Sequence, residues 1–156
     1  MKRQKGFTLI ELLIVIGIIA FLASAVFIAV DPAKRFAESR NARRWTDISA
    51  ILTAVLGYAA EHEGTLPPGI DDAPATAQVL GTNASGCDVG CTAKMTVPAC
   101  LDLANALVNK YASAIPYDPY NGSTAFTDYY INRSSGGRIE VGVCDPELGA
   151  AIFVSR

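Results

Sequence analysis

The chain lacks most of the residue patterns on which enzymatic sites are built. Its single histidine, His62, lies between Glu61 and Glu63 without a nearby nucleophile, which is typical of a surface residue rather than a general base. The sequence has no glycine-rich phosphate-binding loop, and its four cysteines do not form the paired C-x-x-C motifs that structural zinc sites favour. These absences predict a protein that is not an enzyme and has no cofactor.

Basic residues are scarce in the C-terminal part of the chain. Beyond Trp45 there are twelve acidic residues against five basic ones, so this part is acidic and a specific nucleic-acid-binding role is not expected. The segment from Lys34 to Arg44 is the opposite, with five basic residues and one acid, Glu38. That basic segment is therefore the part of the chain suited to an anionic surface.

Charged residues are also missing from a long segment near the N-terminus. Residues 7–30 are almost entirely apolar, and the nineteen residues 12–30 carry no charge. At a helical rise of about 1.5 Å per residue, this length matches the ~30 Å hydrocarbon core of a bilayer. The segment is thus long enough to span a membrane.

Two simple interpretations of this segment leave one residue unexplained. A cleaved secretory signal would use Ala23-Ser24-Ala25 as its cleavage site and release a chain that begins at Val26. A plain single-pass anchor would keep the whole segment. Neither gives a purpose to Glu11, a carboxylate whose insertion into a bilayer costs about 2.5–3.5 kcal/mol.

The residues Gly6-Phe7-Thr8-Leu9-Ile10-Glu11, after a leader containing Lys2, Arg3 and Lys5, provide a third interpretation. They closely resemble the prepilin processing motif of type IV pilins and type II secretion pseudopilins. The resemblance implies that a prepilin peptidase cuts between Gly6 and Phe7 and methylates the new amine. It also implies that Glu11 pairs with the Phe7 amine of a neighbouring subunit, the alternative being an internal pair on one helix face.

The same resemblance implies an α+β, pilin-like fold. Residues 1–6 are then a cytoplasmic leader, 7–30 the membrane-spanning and filament-core half of a long helix, and 31–62 its amphipathic half. Residues 63–156 form a globular head. Asp31-Pro32 predicts either a kink in the long helix or the N-cap and first residue of a new one.

The pattern of the amphipathic half predicts a stripe that covers the head's own sheet. The stripe consists of Trp45, Ile48, Ile51, Leu52, Val55, Leu56 and Ala59. Arg40, Arg43 and Arg44 are assigned to the opposite, solvated side. We expect these arginines to face acidic head surface on neighbouring subunits.

The head is predicted to contain a loop, a short helix and a small antiparallel meander. The loop covers 63–97, with one short helix near 75–80, and the amphipathic helix covers 98–112. The meander covers 124–154, with strands at 124–132, 138–144 and 150–154. Asp118 and Asp128 are expected to form turns, although some major pseudopilins bind calcium in such loops and these carboxylates could contribute oxygens.

All four cysteines lie beyond the apolar segment, where an exported head meets an oxidising compartment. Two disulfides are expected, and four cysteines permit three pairings. We predict that Cys100 pairs with Cys144, while Cys87 and Cys91 form a local bridge.

The function implied by the resemblance is that of a structural subunit of a type IV pilus-like filament. The subunit resides in the cytoplasmic membrane with its head outside, contacts lipid before assembly, and then enters an extracellular or periplasmic filament. Its expected partners are identical or related subunits, the prepilin peptidase, and an assembly platform protein with its ATPase. The alternatives are a type II secretion pseudopilin and a membrane-tethered extracytoplasmic binding domain.

Overall fold

A computed structural model of the chain describes residues 6–156. The basic residues of the predicted leader, Lys2, Arg3 and Lys5, lie outside the described part. The chain divides into two compact units, the first ending at Phe36 and the second comprising Ala37–Arg156. The α+β class and the pilin-like layout predicted from the sequence are confirmed.

The first helix, α1, comprises Leu9–Val30 and exposes every one of its side chains. Within the described residues, one helical segment, which begins with α1, is long and apolar enough to cross a membrane. An apolar surface of this extent is not stable in water and requires lipid or protein around it. The prediction of a membrane-spanning length for residues 7–30 therefore agrees with the observed helix.

The helix is interrupted at Asp31 and begins again at Pro32. Asp31 adopts a left-handed conformation with φ 45°, and its Oδ1 accepts a hydrogen bond from the Lys34 backbone N–H at 3.3 Å. The second helix, α2, then comprises Pro32–Glu61. Of the two predicted possibilities, the structure has the new helix, with proline at its first position and the preceding aspartate as its cap.

One face of α2 forms the centre of the hydrophobic core. Ile48, Ile51, Leu52 and Val55 are buried, as the sequence pattern predicts, but Trp45 is 44% exposed and does not belong to this face. The prediction for Trp45 was wrong because the helical spacing that includes Ile48, Ile51 and Val55 continues to position 44 rather than 45.

The sheet has four antiparallel strands in the order β1-β2-β3-β4. The strands are β1 (Gln78–Val79), β2 (Tyr129–Arg133), β3 (Ile139–Val143) and β4 (Phe153–Ser155). The predicted three-strand meander corresponds to β2, β3 and β4. Its first strand starts five residues later than predicted, because residues 123–126 form a turn closed by the Ser123 N–H and the Phe126 carbonyl at 2.8 Å.

Two predicted helices of the head were wrong or too long. The segment near 75–80 contains β1 and bridges to the following chain through Ala77 with Thr96 and Leu80 with Leu101. The predicted helix 98–112 is reduced to α3, Ala104–Leu107. Residues before α3 pair with β1 instead, and Val108 is extended after it, so long-range pairing overrides the local helical pattern.

The main core fills the space between α2, α3 and the sheet. Leu107 from α3, Tyr129 and Ile131 from β2, and Val141 from β3 are all fully buried beside the α2 face. On β3, Gly142 lies opposite Tyr130, and a β-carbon there would come within 2.4 Å of the Tyr130 ring. The absence of a side chain at Gly142 therefore lets the ring of Tyr130 pack across the strand.

The four cysteines form two disulfides, but with pairings other than the predicted ones. Cys87 is bonded to Cys100 and Cys91 to Cys144. The Cys100 N–H donates to the carbonyl of Asn83 at 2.9 Å, which holds Cys100 beside the middle of the loop, and the Ala93 N–H donates to the carbonyl of Cys144 at 3.2 Å. The loop thus folds back on itself and reaches the end of β3, whereas Cys87 and Cys91 were predicted to form a local bridge.

Candidate processing and assembly site

The residues of the predicted cleavage site lie in open, non-helical backbone. Gly6 and Phe7 precede α1, Phe7 is 89% exposed, and among the described residues beyond Phe7 no atom lies within 4 Å of the position where a β-carbon of Gly6 would be. A peptide bond in such a segment is accessible to a protease without prior unfolding of a helix. The structure therefore leaves the Gly6–Phe7 bond free to enter an active site.

Thr8 and Glu11 form a reciprocal capping box at the start of α1. One carboxylate oxygen of Glu11 accepts hydrogen bonds from the Thr8 N–H and from the Thr8 hydroxyl, both at 2.8 Å. The Glu11 N–H donates to the Thr8 hydroxyl at 3.3 Å. Thr8 had no predicted role, although a threonine three residues before a glutamate is the sequence pattern of this cap.

The start of α1 also bears on how Glu11 can meet the Phe7 amine. Because the helix begins at Leu9 and Thr8 is extended, with φ −82° and ψ 152°, Phe7 lies outside the helix. An internal pair across one helix face is therefore not preformed. The Glu11 carboxylate is instead held by Thr8, one residue after the amine that cleavage would release.

Arg44 is fully buried in the second unit and binds Asp118 through two hydrogen bonds. The distances are 2.5 Å from Nε to Oδ2 and 3.0 Å from Nη2 to Oδ1, and both side chains are 0% exposed. Burial, the strongest influence, would by itself lower the pKa of Arg44, but the hydrogen bonds to Asp118 and Glu147 raise it above its ordinary value. The pair thus fixes the turn after Tyr117 against α2.

Glu147 extends this pair into a network, which we call the clamp: Arg40, Asn41, Arg44, Asp118 and Glu147. Glu147 accepts from Arg44 Nη1 at 2.7 Å and from Arg40 Nε at 2.7 Å. Hydrogen bonds from Arg40, together with those from Arg44, lower the pKa of Glu147 to about 2. Asn41 closes the network by donating to the Glu147 carbonyl at 2.9 Å.

The clamp overturns part of the prediction for Arg40, Arg43 and Arg44. Arg40 and Arg44 bind acidic residues of their own head rather than being left for a neighbouring subunit. Arg43 alone of the three is largely exposed, at 59%, and it lies 3.6 Å from Asp47. The clamp was not predicted because Arg40, Arg43 and Arg44 were all assigned to the solvated face of the helix.

A second polar contact joins α2 to the sheet. The hydroxyl of Tyr129, which is buried in β2, donates to Asp47 Oδ2 at 2.9 Å. Burial, followed by this hydrogen bond to a carboxylate, raises the pKa of Tyr129. The tyrosine therefore contributes both apolar area and a satisfied hydroxyl to the core.

The surroundings of Asp128 in the head are unfavourable to its charge. It is buried, and within the described residues neither of its oxygens has a hydrogen-bond partner. Burial, together with the negative charges of Asp145 and Asp118, raises the pKa of Asp128 to about 7. Asp128 also has φ 65°, a left-handed conformation that aspartate tolerates better than most residues.

The carboxylates considered for calcium are not arranged as a metal site. The two oxygens of Asp118 are taken by Arg44 and by the Tyr120 N–H, at 2.8 Å. In residues 6–156 there is no group of three or more His, Cys, Asp or Glu side chains placed to hold a metal ion. His62 is exposed and stacks on Tyr58, with ring centroids 3.9 Å apart, which gives it a packing role.

Comparison with known families identifies the N-terminal part of the chain. Residues 1–27 match the family described as the prokaryotic N-terminal methylation motif. No curated protein and no solved structure is significantly similar to the chain. The motif marks structural pilin subunits rather than enzymes. The chain carries, on a pilin-like α+β layout, the N-terminal motif that is the hallmark of type IV pilins and pseudopilins.

Proposed function

We propose that this chain is a structural subunit of a type IV pilus-like filament, cleaved after Gly6 and methylated at the amine of Phe7. The observation that carries the proposal is the combination of the methylation motif with a helix whose apolar side chains are all exposed. A helix of this kind suits two environments in succession. It lies in the bilayer before assembly and packs against the N-terminal helices of neighbouring subunits afterwards. The subunit has no enzymatic role in this scheme.

Processing supplies a charge that the assembly step uses. Cleavage exposes an amine next to Thr8, whose backbone and hydroxyl hold the Glu11 carboxylate. In apolar surroundings both the amine and the carboxylate need partners. Pairing Glu11 with the Phe7 amine of an adjacent subunit satisfies both charges. It also sets the axial position of the N-terminal helix of each subunit that joins the filament.

The head is suited to an oxidising compartment and to repeated packing. Its long loop is secured by two disulfides, and the clamp holds the turn at Asp118 and the segment at Glu147 against α2. These bonds keep the surface of each head in one conformation. A filament requires this uniformity because the same contact recurs between every pair of neighbours.

The N-terminus of the membrane-bound protein tests the processing part of the proposal. Mass spectrometry should find a chain that starts at Phe7 and carries one methyl group on its amine. An intact Met1 would indicate a plain anchor, and a start at Val26 would indicate a secreted protein. Either result would reject the proposal.

The location of the assembled protein tests the filament part. Antibodies against the head should label surface filaments in electron micrographs of intact cells. A processed and methylated protein that stays in the periplasm and supports export of another protein would assign it to the pseudopilins, with which it shares the same motif.

A further inference from the structure

Asn121 is the only asparagine of the sequence that precedes a glycine. An asparagine in this position is chemically labile, because no side chain shields the backbone nitrogen of the following residue. That nitrogen can attack the side-chain amide carbon of the asparagine and expel the amide nitrogen as ammonia. Water then opens the cyclic imide to aspartate or to isoaspartate, so the net reaction consumes water and releases ammonia.

The glycine after Asn121 is required by the fold. A β-carbon on Gly122 would lie 2.4 Å from the Asp118 nitrogen and 2.8 Å from the Thr127 carbonyl oxygen, so there is no room for a side chain. The Asp118 N–H donates to that same carbonyl at 2.9 Å, and making room would break this bond. The fold therefore keeps glycine at this position, and with it the reactivity of Asn121.

Asn121 is exposed to water, but the backbone around it is held by Asp118. The Gly122 N–H donates to the Asp118 carbonyl at 3.2 Å. The Asp118 carboxylate oxygen Oδ1 accepts hydrogen bonds from the Tyr120 N–H at 2.8 Å and from the Asn121 N–H at 3.3 Å. We call residues 118–122 the Asp118 turn.

These hydrogen bonds oppose the first step of the reaction. The Gly122 nitrogen must give up its proton and turn toward the side-chain amide of Asn121, and donation to the Asp118 carbonyl hinders both changes. The turn itself is held in place by the buried Arg44, which binds both carboxylate oxygens of Asp118. The reaction therefore requires the turn to open locally, and the clamp determines how often it does so.

We propose that Asn121 is a latent modification site. The clamp protects it in the closed head, and it loses its amide as ammonia when the Asp118 turn opens. This reaction goes beyond the proposed function, since it requires neither processing nor assembly. Its only co-reactant is water, to which Asn121 is already exposed. The fraction of modified heads thus records how often the turn has opened.

Formation of isoaspartate prevents the turn from closing again. It adds a methylene group to the backbone between positions 121 and 122, where Gly122 has no spare room beside Asp118. The displaced Asp118 then no longer meets Arg44, and the arginine loses its buried partner. We expect heads that carry isoaspartate to unfold at a lower urea concentration than unmodified heads.

Deamidation of the full chain in detergent tests the proposal. Peptide mapping by mass spectrometry follows the loss of the Asn121 amide over time in one mildly alkaline buffer, for the folded chain and for the chain unfolded in urea. We expect the unfolded chain to react faster by at least on the order of tenfold. Asn132 precedes an arginine, so it is the internal control and should react slowly in both.

A variant without the buried ion pair tests the role of the clamp. Arg44→Met together with Asp118→Leu removes both members of the pair, and Trp45 fluorescence shows whether this double variant is folded. Its rate at Asn121 should rise on the order of tenfold, because the turn loses the two hydrogen bonds to Asp118 Oδ1. Arg43→Met is the matched control, since Arg43 lies outside the clamp, and it should react at the rate of the parent chain.

Three results would overturn the proposal. They are an unfolded chain in which Asn121 reacts no faster than Asn132, a folded parent that reacts as fast as the unfolded chain, and a double variant as slow as the parent. The urea dependence of the parent chain gives a measurement that does not depend on the folding of any variant. Below the unfolding transition, a rate higher than the globally unfolded fraction allows supports local opening of the turn. A rate proportional to that fraction throughout would reject the role of the clamp.

Discussion

Arg44 and Asp118 form a bidentate ion pair, with distances of 2.5 and 3.0 Å, in which neither side chain is exposed to solvent. The two residues come from elements far apart in the chain, so their pairing fixes the position of the turn at Asp118 relative to α2. Removing one partner leaves the other charge buried without compensation, which is far less favourable than removing both.

Arg44→Met should therefore lower the free energy of unfolding of the head by about 3–5 kcal/mol. The double variant Arg44→Met with Asp118→Leu should be less destabilised than Arg44→Met alone. Arg43→Met is the matched control, because Arg43 is exposed and only loosely paired, and it should change the stability by about 0–1 kcal/mol. Urea unfolding of the full chain in detergent, followed by fluorescence of the single tryptophan, Trp45, measures all three.

The two disulfides should differ in their contributions to stability. The Cys91–Cys144 bond closes a separation of 53 residues and Cys87–Cys100 one of 13, so the chain-entropy model gives about 4 and about 3 kcal/mol. Serine pairs at 91 and 144 should therefore destabilise the head more than serine pairs at 87 and 100. Peptide mapping without reduction must first find these two linkages; a Cys100–Cys144 peptide would contradict the fold of the loop.

Glu11→Leu should abolish filament assembly while leaving membrane insertion and most cleavage intact. The variant helix is more apolar, so insertion persists, but the amine of the facing Phe7 would be buried without a partner at a cost of several kcal/mol. Glu11→Gln should be intermediate at best. The measurement is filament yield beside the cleaved fraction of membrane-bound protein. Abundant filaments of cleaved Glu11→Leu protein would show that this carboxylate does not drive assembly.

Asp128 should make the head less stable as the pH rises from about 4 to 7. Its pKa in the folded protein is about 7, against 3.8 as the ordinary value, so in this interval the folded state keeps a proton that the unfolded state has released. The slope from this group is at most about 1.4 kcal/mol per pH unit, and it ends above pH 7. Asp128→Asn should flatten the profile, since asparagine carries no charge and accepts the same backbone conformation. An unchanged slope in this variant would assign the pH dependence to other groups.

The elements with a strong local pattern were the ones that the sequence could predict. The apolar segment of α1 agrees with the observed helix in length, and the spacing of Ile48, Ile51 and Val55 and the alternation of Ile139, Val141 and Val143 have the periods of their elements. The motif at Gly6 and Phe7 was likewise found from the residues alone. In α2 and β3, local periodicity and tertiary burial agree.

The remaining features depend on contacts between distant residues. Arg44 lies at the helical position that continues the buried face, four residues before Ile48, but a charged residue is buried only if a partner such as Asp118 meets it there. The two-residue strand β1 and the disulfide pairing have no local pattern, since both follow from the way the loop returns to the sheet. The three possible disulfide pairings cannot be ranked from a single sequence.

The edges of the sheet also determine whether neighbouring heads can pair through their strands. The outer edge of β1 is occupied by the returning chain, through the bridges at Ala77 and Leu80, and the opposite edge, β4, is only three residues long. Long uncovered edges recruit strands from other molecules and lead to aggregation. A head built in this way resists the strand exchange that leads to amyloid, even when many copies lie close together.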